Sequence, residues 1–313
     1  MKQTEKKLTK ENLPFEDFMS AFREKLDEKY SQFIGGFTLK EDIIVKNSVE
    51  MHGIIARAEG RNIAPVFYYE DFYNSYSSGT SIDECIVQLI SYLMKHELPE
   101  NDFGKRISEW SLAKKNLIIK LVNSARNSKM LRQVPHMCVG DMAVITQIHI
   151  KHQAVGSCTV TVDRDLVNLW GIDEKTVFDA AFNNMRKMEI LLEDLRNFAD
   201  PDGEIPDEAP VIYVLRFKDE IFGAPAILNT DKLLEFAVKE EKDFYVMPVS
   251  IHEALMIEYV EDISKEFLFE MLNSINQDHP VRDDVLSFEV FLLKRESREM
   301  TYVSDGRKLC IYN

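Results

Sequence analysis

Apolar positions between about Pro14 and Tyr30 recur at three-to-four spacing: Phe15, Phe18, Met19, Phe22 and Leu26 share one face and predict an amphipathic helix. Gly35-Gly36 then breaks the chain. Runs rich in β-branched and aromatic residues predict strands at Ile43–Lys46, Met51–Arg57 and Ile63–Tyr69. A helix is expected from Ser81 to His96, entered at Gly79-Thr80-Ser81, with Asp83 and Glu84 in the first turn where the helix dipole favours acids.

The pattern continues with a strand at Asn116–Val122, a short helix at Ser124–Leu131, and a hairpin of Ala143–Ile150 with Cys158–Val162. Asp163 and Asp173 are expected to cap two helices, the first ended by Gly171, with Trp170 largely buried; Ile190–Phe198 reads as a third. Strands follow at Val211–Phe217, Ala224–Leu228 and Phe244–Pro248, and helices at Thr230–Glu240 and Ser264–Ile275, the latter burying Phe267, Leu268, Met271 and Leu272. The last strands fall at Val285–Leu293 and at Met300–Val303 or Leu309–Tyr312. Strands and helices alternate without a regular βαβ repeat, so the expected class is α+β, with mixed, mainly antiparallel sheets and helices packed on them.

Residues 199–210 (ADPDGEIPDEAP) hold three prolines and five acids and predict a linker. The expected organisation is a polar tail at 1–12, an α+β domain at 13–198, this acidic linker, and an acidic α+β domain at 211–313. Charge sharpens the division. Residues 200–313 carry 25 acidic and 12 basic residues, whereas 1–199 carry 28 and 26, within a whole-chain net of −15. Such an acidic half repels phosphate backbones. Four cysteines in no C-x-x-C pair, and an N-terminus without an apolar leader core, predict a reduced, cytoplasmic protein.

The sequence lacks phosphate-loop, dinucleotide, calcium-loop, zinc and nucleophile-elbow motifs, so no cofactor and no metal is expected. Against the acidic background, residues 105–132 hold Lys105, Arg106, Lys114, Lys115, Lys120, Arg126, Lys129 and Arg132 with one acid, Glu109. This local excess could receive an anionic partner, including nucleic acid, or neutralise the chain's own acidic half. His149-x-x-His152, with His136 upstream, is the nearest approach to a metal cluster, but strand spacing sends 149 and 152 to opposite faces. Ser250-Ile251-His252-Glu253 places a hydroxyl, an imidazole and a carboxylate together at a strand end. It reads either as catalytic material or as a capping box that starts a helix.

Several stretches carry a resemblance in order along the chain: VKNSVEMHGI at 45–54, APVFYYEDFYNSYSSGTSIDE at 64–84, VNSARNSKMLRQVPH at 122–136, DMAV at 141–144, VDRDLVNLWGI at 162–172, IYVLRFKDEIFGAPAIL at 212–228, DFYVMPVSIHEAL at 243–255 and VLSFEVFLLKRE at 285–296. Together they resemble the bacterial domain-of-unknown-function family numbered five-six-eight-eight. The resemblance implies a soluble protein of Gram-positive anaerobes, often carried on mobile elements, with no assigned activity. Val249 stands where that pattern has a second serine, and Phe288-Glu289 replace a more polar pair.

The functional expectation is a non-enzymatic, macromolecule-binding protein, with two rivals. One is an enzyme of unfamiliar type using Arg126, His136, Ser250, His252 and Glu253. The other is a nucleic-acid binder working through residues 105–132. An enzyme needs its candidate side chains in one concave pocket.

Overall fold

The computed structural model describes residues 12–34, 36–46, 49–58, 64–95, 102–152, 156–199, 206, 209–218, 222–279 and 284–310. Most of the polar tail and of the acidic 199–210 segment lies outside the described residues. The backbone divides into two compact units, 1–104 with 151–156, and 105–150 with 157–313.

The first unit opens with helix α1 (Phe15–Lys25), followed by strands β1 (Phe37–Lys46), β2 (Val49–Ala58) and β3 (Val66–Tyr68), then helices α2 (Tyr69–Ser77) and α3 (Ile82–Lys95). The strands form an antiparallel sheet in the order β1-β2-β3. The periodic face of α1 buries Phe18 and Phe22 completely, against Ile54, Tyr69, Ile86 and Leu89. Ser81 and Glu84 close a capping box at the head of α3: the Ser81 N–H donates to the Glu84 carboxylate at 2.8 Å and the Glu84 N–H donates to Ser81 Oγ at 3.2 Å. The Ser81 N–H and the Ser81 hydroxyl, which donates to the same oxygen at 2.7 Å, hold the Glu84 carboxyl below its ordinary range.

The second unit begins with helices α4 (Asp102–Ser108) and α5 (Trp110–Ala113), then strand β4 (Leu117–Asn123), helix α6 (Ser128–Leu131) and strands β5 (Met137–Val139), β6 (Met142–His152) and β7 (Gly156–Thr161). These strands form a sheet ordered β4-β6-β5, with β7 also on β6. Helices α7 (Arg164–Trp170) and α8 (Glu174–Met185) follow. Asp163 and Asp173 cap them by accepting from the N–H of Leu166 and Thr176, and Gly171 takes the left-handed φ of 66° that ends α7.

A six-stranded antiparallel sheet, β13-β12-β10-β11-β9-β8, makes up the rest. Its strands are β8 (Ile190–Asp194), β9 (Ile212–Phe217), β10 (Phe244–Met247), β11 (Ala254–Glu258), β12 (Phe291–Lys294) and β13 (Glu299–Tyr302). Helices α9 (Arg196–Ala199), α10 (Thr230–Lys239) and α11 (Lys265–Asp278) lie between them in sequence. Alternation along the buried strand β10 sorts its side chains: Phe244 meets Phe236 of α10, whereas Tyr245 and Met247 join Leu268 and Leu272 of α11. The chain is therefore α+β, as its pattern of elements predicts, and each strand pair other than β6–β7 is antiparallel among the described residues.

Several local expectations fail, each for a tertiary reason. Ile190–Phe198 is not a helix, because Ile190–Asp194 pairs in register with Phe217–Tyr213 as an edge strand and only Arg196–Ala199 turns helical. That pairing also joins the two sides of 199–210 in one sheet. Ala224–Leu228 is a fully buried 3-10 turn rather than a strand, since Pro225 cannot donate to a ladder. Phe267 is 55% exposed, because the buried stripe of α11 runs through Leu268, Leu272 and Asn276. Trp170 is only half-buried. Its Nε1–H donates to the Ile107 carbonyl at 2.9 Å, and its ring meets Trp110 at 5.2 Å.

Candidate functional site

The Ser250 turn heads no helix. Ser250 forms an antiparallel bridge with Val285, and Ala254 already begins β11. Half of the anticipated capping geometry survives in another setting: Ser250 Oγ accepts from the N–H of His252 at 3.1 Å and of Glu253 at 3.2 Å. The other half is lost, because the Ser250 N–H donates to the backbone carbonyl of Glu253, not to its carboxylate. A serine hydroxyl 3% exposed and already serving two amides is a turn acceptor, not a nucleophile aligned on an imidazole. His252 faces elsewhere: its Nε2 lies 3.5 Å from Asp284 Oδ2, and its ring stacks on Phe222, which also carries Lys120 Nζ at 4.3 Å.

What gathers these loops is residues 284–288. The Ile251 N–H donates to the Asp284 carbonyl at 2.9 Å, Asn123 Nδ2 to the Leu286 carbonyl at 3.1 Å, and Asn276 Nδ2 to the Ser287 carbonyl at 2.9 Å. Asp141 takes the Ser287 hydroxyl at 2.6 Å on one oxygen and the Phe288 N–H at 2.8 Å on the other. The Arg126 guanidinium lies 5.9 Å from the Phe288 ring centre, while the Arg126 backbone N–H donates to Asn123 Oδ1 at 3.1 Å. Asn123, Ser250, Asn276 and Ser287 are all buried, so each polar group would be costly without these bonds.

The junction thus joins Ser250, His252 and Glu253 to the Arg126 loop through one short segment, with His252 at its Asp284 end and Arg126 at its Phe288 end, four residues on. The His136 Nδ1–H donates to the Val134 carbonyl at 3.0 Å. Cavities walled by Ser78, Asp83 and Gln88, by Glu189, Lys232 and Phe236, and by Arg23, Glu41 and His52 include none of the five. Among the described residues no cluster of His, Cys, Asp and Glu is placed to hold a metal ion. His149 Nε2 meets the Ser157 hydroxyl, and the side chain of His152 lies outside the described residues.

Asn123, Asp141 and Ser287 carry the junction and were not legible as a group in the sequence. Their one signal is that each falls in a stretch bearing the family resemblance, VNSARN, DMAV and VLSFEV. Replacing Ser250 by alanine, which strands two amides, should lower stability by about 1–2 kcal/mol. The exposed His252, replaced by alanine, should change it by no more than about 0.5 kcal/mol. Denaturant unfolding of both variants checks the contrast, and equal losses would contradict it.

The basic run is distributed at both ends of β4. Lys114 and Lys115 precede the strand, Lys129 and Arg132 follow it, and Lys105 lies on α4; all five side chains are exposed. Among the described residues no ion pair joins any of these five to a carboxylate. Arg106, Lys120 and Arg126 do have partners. Asn184, near the end of α8, fixes one end of this surface by donating to the carbonyls of Lys114 and Leu117 at 2.9 and 3.0 Å.

Fold and junction together define an α+β protein whose most connected polar residues bind its own backbone. Within that class, the chain belongs to the family of unknown function DUF5688, whose model matches residues 15–295. No curated protein and no solved structure matches it. Among the described residues no helix is long and apolar enough to cross a membrane.

Proposed function

We propose that this protein binds a macromolecular partner, without catalysing a reaction on it, and that the partner presents phosphates to the 105–132 surface. One observation carries the reading: Lys105, Lys114, Lys115, Lys129 and Arg132 are exposed and make no ion pair with a carboxylate among the described residues, in a chain of net charge −15. An acidic protein with abundant carboxylates ordinarily mixes its surface charges, so cations left unpaired are available to an external anion. Nucleic acid is the class favoured, because Trp110 and Trp170 adjoin the run with partly exposed rings on which a base can stack. The Ser250 hydroxyl, engaged by the His252 and Glu253 amides, supports binding over catalysis at that turn. Service to a mobile element belongs to the same proposal and rests on the family resemblance. A cytoplasmic location belongs to it too.

The test is fluorescence anisotropy with labelled single-stranded and duplex DNA and RNA between 50 and 200 mM salt. Binding should weaken linearly in log–log form, and Lys114→Glu with Lys115→Glu should weaken it and flatten the salt slope by about one to two. Undetectable binding at low salt would overturn the nucleic-acid assignment. An acidic protein bound through the same lysines would replace it.

A further inference from the structure

The first unit contains a cavity of about 300 Å³, walled by Met19, Arg23, Glu41, Ile43, His52 and Tyr69, with Asp42 and Gly53 completing it. Its volume lies at the small end of the range in which ligand sites fall. The polar groups around it are not loosely arranged. Arg23 grips Glu41 through Nε at 2.7 Å and through a second guanidinium nitrogen. The Tyr69 hydroxyl donates to the same carboxylate at 2.6 Å. Glu41 is held below its ordinary range, chiefly by these bonds acting against its burial, while burial and the bond to Glu41 push the Tyr69 phenol up.

His52 is fixed by a different acid. The Glu70 carboxylate accepts from the His52 backbone N–H at 2.9 Å and lies 2.8 Å from its Nδ1. A carboxylate has no proton to give, so Nδ1 is the donor, and whenever the ring carries that proton alone Nε2 is a lone-pair acceptor. The Phe15 ring meets His52 edge-on at 5.4 Å and further restricts its rotation. Among the described residues nothing bonds Nε2. The wall therefore offers an imidazole acceptor and two further carboxylates, Glu41 paired with Arg23 and Asp42 paired at its exposed edge with Lys40 at 3.1 Å. Met19 and Ile43 supply the apolar surface.

We propose that this cavity is a binding site for a small molecule with an ammonium head group and a short apolar body, the ammonium donating to Nε2 of His52. His52 is then a binding residue. Glu70 is a positioning residue, which sets the tautomer and the direction of the ring. The preference for a cation follows from the acceptor-rich wall: an anion would meet Glu41 and Asp42 with the only guanidinium already engaged. The site is independent of the 105–132 surface, and either can fail alone.

Three isosteric probes separate head groups on one body: butylammonium, 1-butanol and butyrate. Probes of this size bind in roughly the millimolar range, so NMR of the full-length protein is the suitable method. The reporters are the Gly53 amide and the Met19 methyl. Butylammonium should shift both saturably, with 1-butanol and butyrate at least tenfold weaker. His52→Ala should reduce affinity at least tenfold; Glu70→Ala should do the same, and Glu70→Gln, which keeps an acceptor for Nδ1–H, should restore most of it. A melting curve for each variant separates lost binding from lost folding, and a variant that unfolds is replaced by His52→Phe, which keeps the ring volume. No saturable shift with any probe, butyrate or 1-butanol binding as tightly as butylammonium, or full affinity in a folded His52 variant would each overturn the assignment.

Discussion

Gly223→Ala is expected to destabilise the second unit by about 3 kcal/mol or more, the upper range for forcing atoms into a packed site. A Cβ built on Gly223 would lie 2.1 Å from the carbonyl oxygen of His252 and 2.6 Å from Cβ of Arg216. Neither obstacle is the free end of a long side chain. The His252 carbonyl belongs to the turn that Ser250 and Asp284 hold, and Arg216 is paired along β9. The Ala224 N–H donates to the Ile251 carbonyl at 3.4 Å, so the 3-10 turn cannot retreat without losing that bond. Thermal unfolding should show a fall of roughly 2–4 °C for each kcal/mol. Gly171→Ala is the comparison: Gly171 has a φ of 66° and open space around it, so the cost is backbone strain alone, about 1–2 kcal/mol. A wild-type melting temperature for Gly223→Ala would mean that the two backbones separate easily, and the junction would be softer than its bonds imply.

The second large effect is expected at Asp141. Its carboxylate takes the Ser287 hydroxyl and the Phe288 N–H, and its backbone carbonyl takes the Ser124 N–H at 2.8 Å. Alanine keeps the carbonyl bond and removes the other two, leaving the fully buried Ser287 hydroxyl without its acceptor. Hydrogen bonds to charged groups carry about 1.5–3 kcal/mol each, so Asp141→Ala, which removes two from a half-buried side chain, should lose about 3–4 kcal/mol, the low end of their sum. Ser287→Ala should lose less, since Asp141 keeps the Phe288 amide. The double variant should fall short of the sum of the singles by about 0.5–3 kcal/mol, the range for residues in direct contact. Strict additivity in denaturant unfolding would show that the two side chains do not depend on each other.

Both predictions concern residues that no local pattern marks. Gly223 sits in an ordinary G-A-P sequence, and its close approach involves a carbonyl 29 positions later. Asp141 follows Gly140 in what reads as a simple turn, yet its partners lie 146 and 147 positions away. The same holds for the cavity in the first unit. His52 and Glu70 are ordinary strand and helix residues until β2 and α2 set them side by side.

Where the signal was local, the sequence determined the outcome. The face of α1, the caps at Asp163 and Asp173, the stop at Gly171 and the α+β class all follow from spacing and side-chain chemistry within one or two turns. Tertiary structure decided the rest. Ile190–Asp194 has an apolar run suited to either a helix or a strand, and the free edge of β9 selected the strand. Ser250-x-x-Glu253 matches a capping box as well as Ser81-x-x-Glu84 does. Only Ser81 has an amphipathic run free to become a helix behind it. Behind Ser250, Ala254–Glu258 is claimed by ladders to β10 and β9 on both sides. A hydrogen-bond motif four residues long fixes its own bonds but not the backbone that follows, because the much larger burial and pairing energies of the next segment are set by whatever the fold places beside it.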